Sequence, residues 1–85
     1  LDLPLTILAV DDDIPLLNMM SEALRAAEYH VLTAGGGREA IELFETPGNR
    51  VDLLVTDVIM PHLTGPVLAE RLRERQPNLP VLFIS

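Results

Sequence analysis

The side chains best equipped for chemistry in this chain are carboxylates that close apolar runs. Asp11, Asp12 and Asp13 follow the run at residues 5–10, and Asp57 follows the run at residues 51–56. Carboxylates crowded into one pocket repel, and one of them must take up a proton unless a cation offsets the charge. Oxygen-only donors favour Mg2+ or Mn2+, with Ca2+ compatible and Zn2+ disfavoured. A carboxylate held beside such a cation can attack a phosphoryl group, because the metal offsets the repulsion between two anions. Each acid has an ordinary reading by itself: Asp13 suits a helix cap, and a lone Asp57 would be a loop residue. Two acids ending one apolar run and a third ending another are harder to explain as solvated turns, and together they point to phosphoryl chemistry.

For these acids to meet, the elements that carry them must be neighbours. Four apolar runs recur, at residues 5–10, 30–34, 51–56 and 81–85. The first, third and fourth are nearly continuous, as expected of strands covered by helices on both faces. Three segments with helical spacing lie between them. The first spans residues 14–27 behind Asp13 as N-cap, with Pro15 in its first turn; Leu17, Met20, Leu24 and Ala27 share a face opposite Asn18, Glu22 and Arg25. The second spans residues 38–45, with Ala40, Ile41 and Phe44 inward and Glu39, Glu42 and Glu45 outward, between a turn at Gly35-Gly36-Gly37 and a stop at Pro47-Gly48-Asn49. The third is capped near Thr64, carries Pro66 in its first turn and turns Leu68, Ala69 and Leu72 inward; Pro77 and Pro80 close it. The order βαβαβαβ predicts an α/β domain with a parallel sheet and right-handed crossovers. Ligands collect at the carboxyl ends of such strands, near the point where strand order reverses. If the first and third strands are adjacent, Asp11, Asp12 and Asp57 share one crevice.

Bulk composition narrows the function. With 85 residues there is room for one small domain, and 48% hydrophobic content excludes a disordered segment. A net charge of -7 argues against a nucleic-acid surface. There is no cysteine, hence no disulfide or thiolate metal site, and the apolar runs are too short to span a bilayer. All 6 basic residues are arginine. The chain opens on Leu1 rather than Met, which reads as an internal piece of a longer protein.

Several conspicuous residues are expected to do little. His62 is near the acids but reads as a solvent-facing loop residue, and His30 as a packed or partly exposed strand residue. The three glycines precede no lysine-containing phosphate loop and read as a turn and helix cap. Met19, Met20 and Met60 read as core or near-core positions, and Glu70, Arg71, Arg73, Glu74 and Arg75 as a solvated helix face.

Ile7-Leu8-Ala9-Val10-Asp11-Asp12-Asp13, Leu53-Leu54-Val55-Thr56-Asp57-Val58-Ile59-Met60-Pro61, Thr64-Gly65 and Pro80-Val81-Leu82-Phe83-Ile84-Ser85 together resemble the receiver domain of response regulators and hybrid histidine kinases, over essentially the whole chain. The resemblance implies a flavodoxin-like, doubly wound parallel sheet of order 2-1-3-4 across residues 1–85, cut short after the fourth strand, with the fifth strand and last helices missing. It implies that Asp57 accepts a phosphoryl group from a phosphohistidine on a sensor kinase or phosphotransfer domain. Mg2+ would be held by Asp12 and Asp57, by Asp11 largely through water, and by the backbone carbonyl of Ile59; Mn2+ is an alternative. Ser85 aligns with the family's switch hydroxyl. The family's lysine would lie beyond Ser85. A cytoplasmic location is implied for the domain, with no nucleic-acid or membrane contact of its own. Thr64-Gly65-Pro66, Leu68-Ala69-Glu70-Arg71 and the last strand look most like receivers of hybrid sensor kinases, whose parent protein can be membrane-anchored; a regulator with a DNA-binding output domain is the other arrangement.

Two other functions compete. One is an interaction module that has lost phosphotransfer, for which the missing lysine argues. The other is a phosphohydrolase of the haloacid dehalogenase type, suggested by the spacing of Asp11 and Asp13. That class needs a small or hydroxyl residue soon afterwards, where Ile14-Pro15 stands, and its lysine and cap segment are absent. An uncovered fourth strand would be an apolar edge, so pairing with a second copy through it is expected.

Overall fold

The computed structural model describes residues 4–84. Its elements run β1 (Thr6–Val10), α1 (Ile14–Ala26), β2 (His30–Ala34), α2 (Gly37–Glu45), β3 (Leu53–Asp57), α3 (Gly65–Arg73) and β4 (Val81–Ile84). All strand pairs are parallel, in the order β2-β1-β3-β4. This is the expected α/β, flavodoxin-like order. Ser85 lies outside the described residues, so the expected switch hydroxyl does too.

Strand β1 is central, and all five of its residues are buried, which accounts for its unbroken apolar run. Alternate side chains of the sheet feed two separate cores. Leu8, Val10 and Leu54 join Ala40 of α2 and Leu68, Ala69 and Leu72 of α3. Ala9 and Val31 meet Leu17 of α1, with Met20 and Leu24 packed alongside. Leu8, Leu54 and Leu68 are fully buried, and removing each from water stabilises the fold by roughly 2 kcal/mol.

Four local expectations change. Strand β3 begins at Leu53, two residues later than the apolar run suggests. Asp52 is the cause: its backbone N–H donates to the Thr6 carbonyl, and its carboxylate accepts from the Thr6 N–H at 2.8 Å. Val51 is buried just ahead of the ladder, its carbonyl accepting from the Gln76 side chain. The strand then runs on to include Asp57. On α1, Ala27 is an exposed C-cap, and the inward position one turn after Leu17 is Ser21, which is buried. Met19 is 67% exposed and not a core residue, whereas Met60 is buried. Finally, β4 is not covered on both faces among the described residues. It forms one edge of the sheet, with Leu82 and Phe83 exposed.

The helix starts follow their local chemistry. Asp13 caps α1 by accepting from the Leu16 N–H, and Thr64 caps α3 by accepting from the Val67 N–H. Gly36 caps α2 without a side chain, and Glu39 reaches back to accept from the Gly35 N–H at 2.7 Å. Gly37 is required for packing: a Cβ there would run into Leu63 of the β3–α3 loop.

Candidate functional site

After β1 the chain crosses to β2 on one side, then returns to place β3 on the other. Strand order therefore reverses between β1 and β3, and a crevice opens past their carboxyl ends. The register pairs Val10 with Thr56, so the residues that follow, Asp11 and Asp57, face each other across that crevice.

Asp11, Asp12 and Asp57 converge there. One carboxylate oxygen from each lies within 4.8 Å of the others. Their exposures differ: Asp11 is 2% exposed, Asp57 is half-buried and Asp12 is exposed. Burial raises the Asp11 carboxyl above its ordinary value, and the charges of Asp57, Asp12 and Asp13 push it further the same way. A hydrogen bond from the Asp13 N–H, 2.9 Å, opposes the shift. Asp13 turns away from the cluster to cap α1, which was its expected role. Three carboxylates with one of them strained toward protonation form a site whose charge a hard divalent cation would balance, and the all-oxygen donor set suits Mg2+.

The loop after Asp57 shapes the rim. Ile59 is 80% exposed, and Met60 is buried in the α2–α3 core. His62 is exposed with a left-handed backbone, φ 70°, and stands outside the converging acids. A groove of about 880 Å3 leads away from Asp12 between α2 and this loop, with Arg38 and Arg71 on its walls. Of the three acids only Asp12 lines this groove, so the groove meets the cluster at its exposed member.

Two residues of the site escape sequence reasoning. Thr56 is fully buried, and its hydroxyl donates to the Asp57 carbonyl at 3.0 Å. Gly65 packs so closely on that carbonyl that a Cβ would overlap it, and its N–H donates to the Val58 carbonyl at 2.9 Å. Thr56 looks like any β-branched strand residue. Gly65 is visible only as part of the Thr64-Gly65 pair.

The model of the response regulator receiver domain matches residues 7–85. The chain belongs to that family. It is 38% identical over 80 residues to the sensor kinase CckA of Brucella abortus, covering 94% of this chain and 8% of that protein. It is 39% identical over 82 residues to the probable transcriptional regulatory protein TcrX of Mycobacterium tuberculosis, covering 96% of this chain and 34% of that one. Among solved structures, the response regulator TrrA of Thermotoga maritima, in complex with Mg(2+)-BeF, superposes with a TM-score of 0.82 at 28% identity, covering 91% of this chain and 65% of that one. The receiver thus spans a small part of the two curated relatives. Receiver domains serve two-component signalling, use Mg2+ at an acidic pocket and interact with kinases or phosphotransfer partners. No helix among the described residues is long and apolar enough to cross a membrane.

Proposed function

We propose that Asp57 is the phosphoacceptor of this receiver, and that Asp11, Asp12, Asp57 and the Ile59 backbone carbonyl hold Mg2+. The observation that carries this reading is the convergence of three carboxylate oxygens within 4.8 Å, from two strand ends 46 positions apart (57 − 11). The cation, when bound, supplies charge neutralisation for an attack of one anion on another. Asp57 is half-buried at the open end of β3, so its oxygen can reach a phosphorus presented from outside. An aspartyl oxygen forms the new P–O bond as the donor's P–N bond breaks, and the released imidazole takes its proton from solvent. Asp11 and Asp12 contribute negative charge for the cation and do not take part in bond making. The exposed side chain of Ile59 fits a residue that contributes through its backbone alone.

The donor proposed is a phosphohistidine of a sensor kinase or phosphotransfer domain, and the output is a change of conformation that Ser85 would relay as switch hydroxyl. The receiver spans residues 1–85 of the chain, and its setting would be cytoplasmic. Relatives that contain such a domain include a sensor kinase and a probable transcriptional regulatory protein. Complexation of TrrA with Mg(2+)-BeF supports a metal-assisted phosphoryl site on this fold.

Incubation with Mg2+ and acetyl phosphate, followed by intact mass, tests the assignment. A gain of one phosphoryl group is expected, abolished by EDTA and by Asp57→Asn. Persistence of the gain in Asp57→Asn would remove Asp57 from its role.

A further inference from the structure

We propose that Thr56 is a positioning residue of the site: its buried hydroxyl fixes the peptide that joins Asp57 to Val58, and through it the metal-binding oxygens on either side. This rests on the metal assignment above and extends it to a residue that touches neither metal nor phosphoryl group.

The β1–β3 ladder ends at the Val10–Thr56 pair, while β3–β4 pairing continues one residue further, to Asp57 and Ile84. The Asp57 carbonyl therefore lies past the last β1 partner. Thr56 supplies a donor instead, its hydroxyl 3.0 Å away. Packing does not call for that hydroxyl. Thr56 is fully buried between Val10 and Phe83 in register, with Leu54 on the same face two residues earlier, and valine has the same branched shape. A buried hydroxyl is tolerated where it is satisfied, and here the partner is the backbone of the phosphoacceptor.

The surrounding contacts turn this bond into a clamp. The Val58 N–H donates to the Ile84 carbonyl at 3.1 Å, and the Gly65 N–H donates to the Val58 carbonyl at 2.9 Å. Gly65 also presses on the Asp57 carbonyl from the α3 side. The Asp57–Val58 peptide is thus held at its N–H by β4, at its oxygen by Thr56, and at the following carbonyl by α3. The Asp57 carboxylate precedes that peptide and the Ile59 carbonyl follows it, so a rotation of the peptide plane disturbs the backbone that sets both proposed ligands. Removing the hydroxyl frees the rotation without touching a ligand.

The experiment is Mg2+ titration by calorimetry of the wild type, Thr56→Val, Thr56→Ser, Thr56→Ala and Asp57→Asn, with thermal melts in EDTA. Thr56→Val should weaken Mg2+ binding roughly tenfold, in the range seen when supporting groups behind metal ligands are lost, and Thr56→Ser should restore most of it. Unchanged affinity in Thr56→Val, or a Thr56→Ser as weak as Thr56→Val, overturns the proposal. If Thr56→Val does not fold, the Ser and Ala variants decide, since they differ in one hydroxyl: weaker binding by Ala supports the clamp and equal binding overturns it. A wild type that binds no Mg2+, or an Asp57→Asn that binds it equally well, defeats the metal assignment itself. A loss confined to melting temperature assigns Thr56 to the core alone and also overturns the proposal.

Discussion

Replacing Asp11 by asparagine should make the metal-free protein more stable while removing most of its response to Mg2+. The magnitude follows from the geometry. Oxygens of Asp11, Asp12 and Asp57 lie within 4.8 Å of one another. A like-charge pair at that distance costs about 1 kcal/mol at the dielectric constant of water and about 3.5 kcal/mol at an effective value of 20. Asp12 is exposed and Asp57 half-buried, so the lower figure applies, and Asp11 makes two such pairs. Asparagine retains the oxygen that accepts from the Asp13 N–H at 2.9 Å. The net gain is therefore about 1–2 kcal/mol, or roughly 5–15 °C in Tm for a domain of this size. With Mg2+ at a hundred times its dissociation constant the wild type should recover about 2.7 kcal/mol, and the variant much less. Thermal melts of both proteins in EDTA and in Mg2+ measure both effects. A variant that melts below the wild type in EDTA, or that gains as much from Mg2+, refutes the view of this cluster as repelling ligands balanced by a cation.

The same carboxyl predicts a pH dependence. Burial and its neighbours raise Asp11 in the folded state, so the folded protein binds that proton more tightly than the unfolded chain. Its contribution to stability is full below the ordinary value of 3.8 and is lost as pH rises through the raised value. In EDTA, Tm should rise as pH falls from neutral into the weakly acidic range, and Asp11→Asn should flatten the rise; equal slopes in the two proteins would count against it. Gly65→Ala should cost about 1–3 kcal/mol, as overpacking does, because the new methyl overlaps the Asp57 carbonyl; denaturant melts that show no loss would contradict the close approach. Ser21→Ala should stabilise by about 1 kcal/mol, since its buried Oγ has no partner among the described residues and alanine is the better helix former. A less stable Ser21→Ala would mean that the hydroxyl has a partner, such as a bound water.

Much of this protein was legible in residue order because its fold repeats one local rule. Continuous apolar runs such as Thr6–Val10 mark strands buried on both faces, and Asp13 and Thr64 mark the helix starts by the hydrogen bonds their side chains accept. Periodicity was less informative at the edges of elements. Val51 is as apolar as its neighbours, yet the reciprocal bonding of Asp52 with Thr6 delays the ladder. Met19 and Met20 are adjacent and chemically identical, and only the helix's orientation on the sheet exposes one and half-buries the other.

The acids themselves, and the chemistry that a group of them invites, came from residue type alone. What residue type cannot specify is distance between segments far apart in the chain. Parallel pairing of β1 with β3 brings Asp11 and Asp57 together, and the energy that sets this pairing is spread over the whole buried sheet. The burial of Asp11 and the hydroxyl of Thr56 on the Asp57 carbonyl are likewise consequences of packing. Local sequence selects the elements because hydrogen bonds and side-chain periodicity act over a few residues. The site exists because the sheet then closes over tens of them.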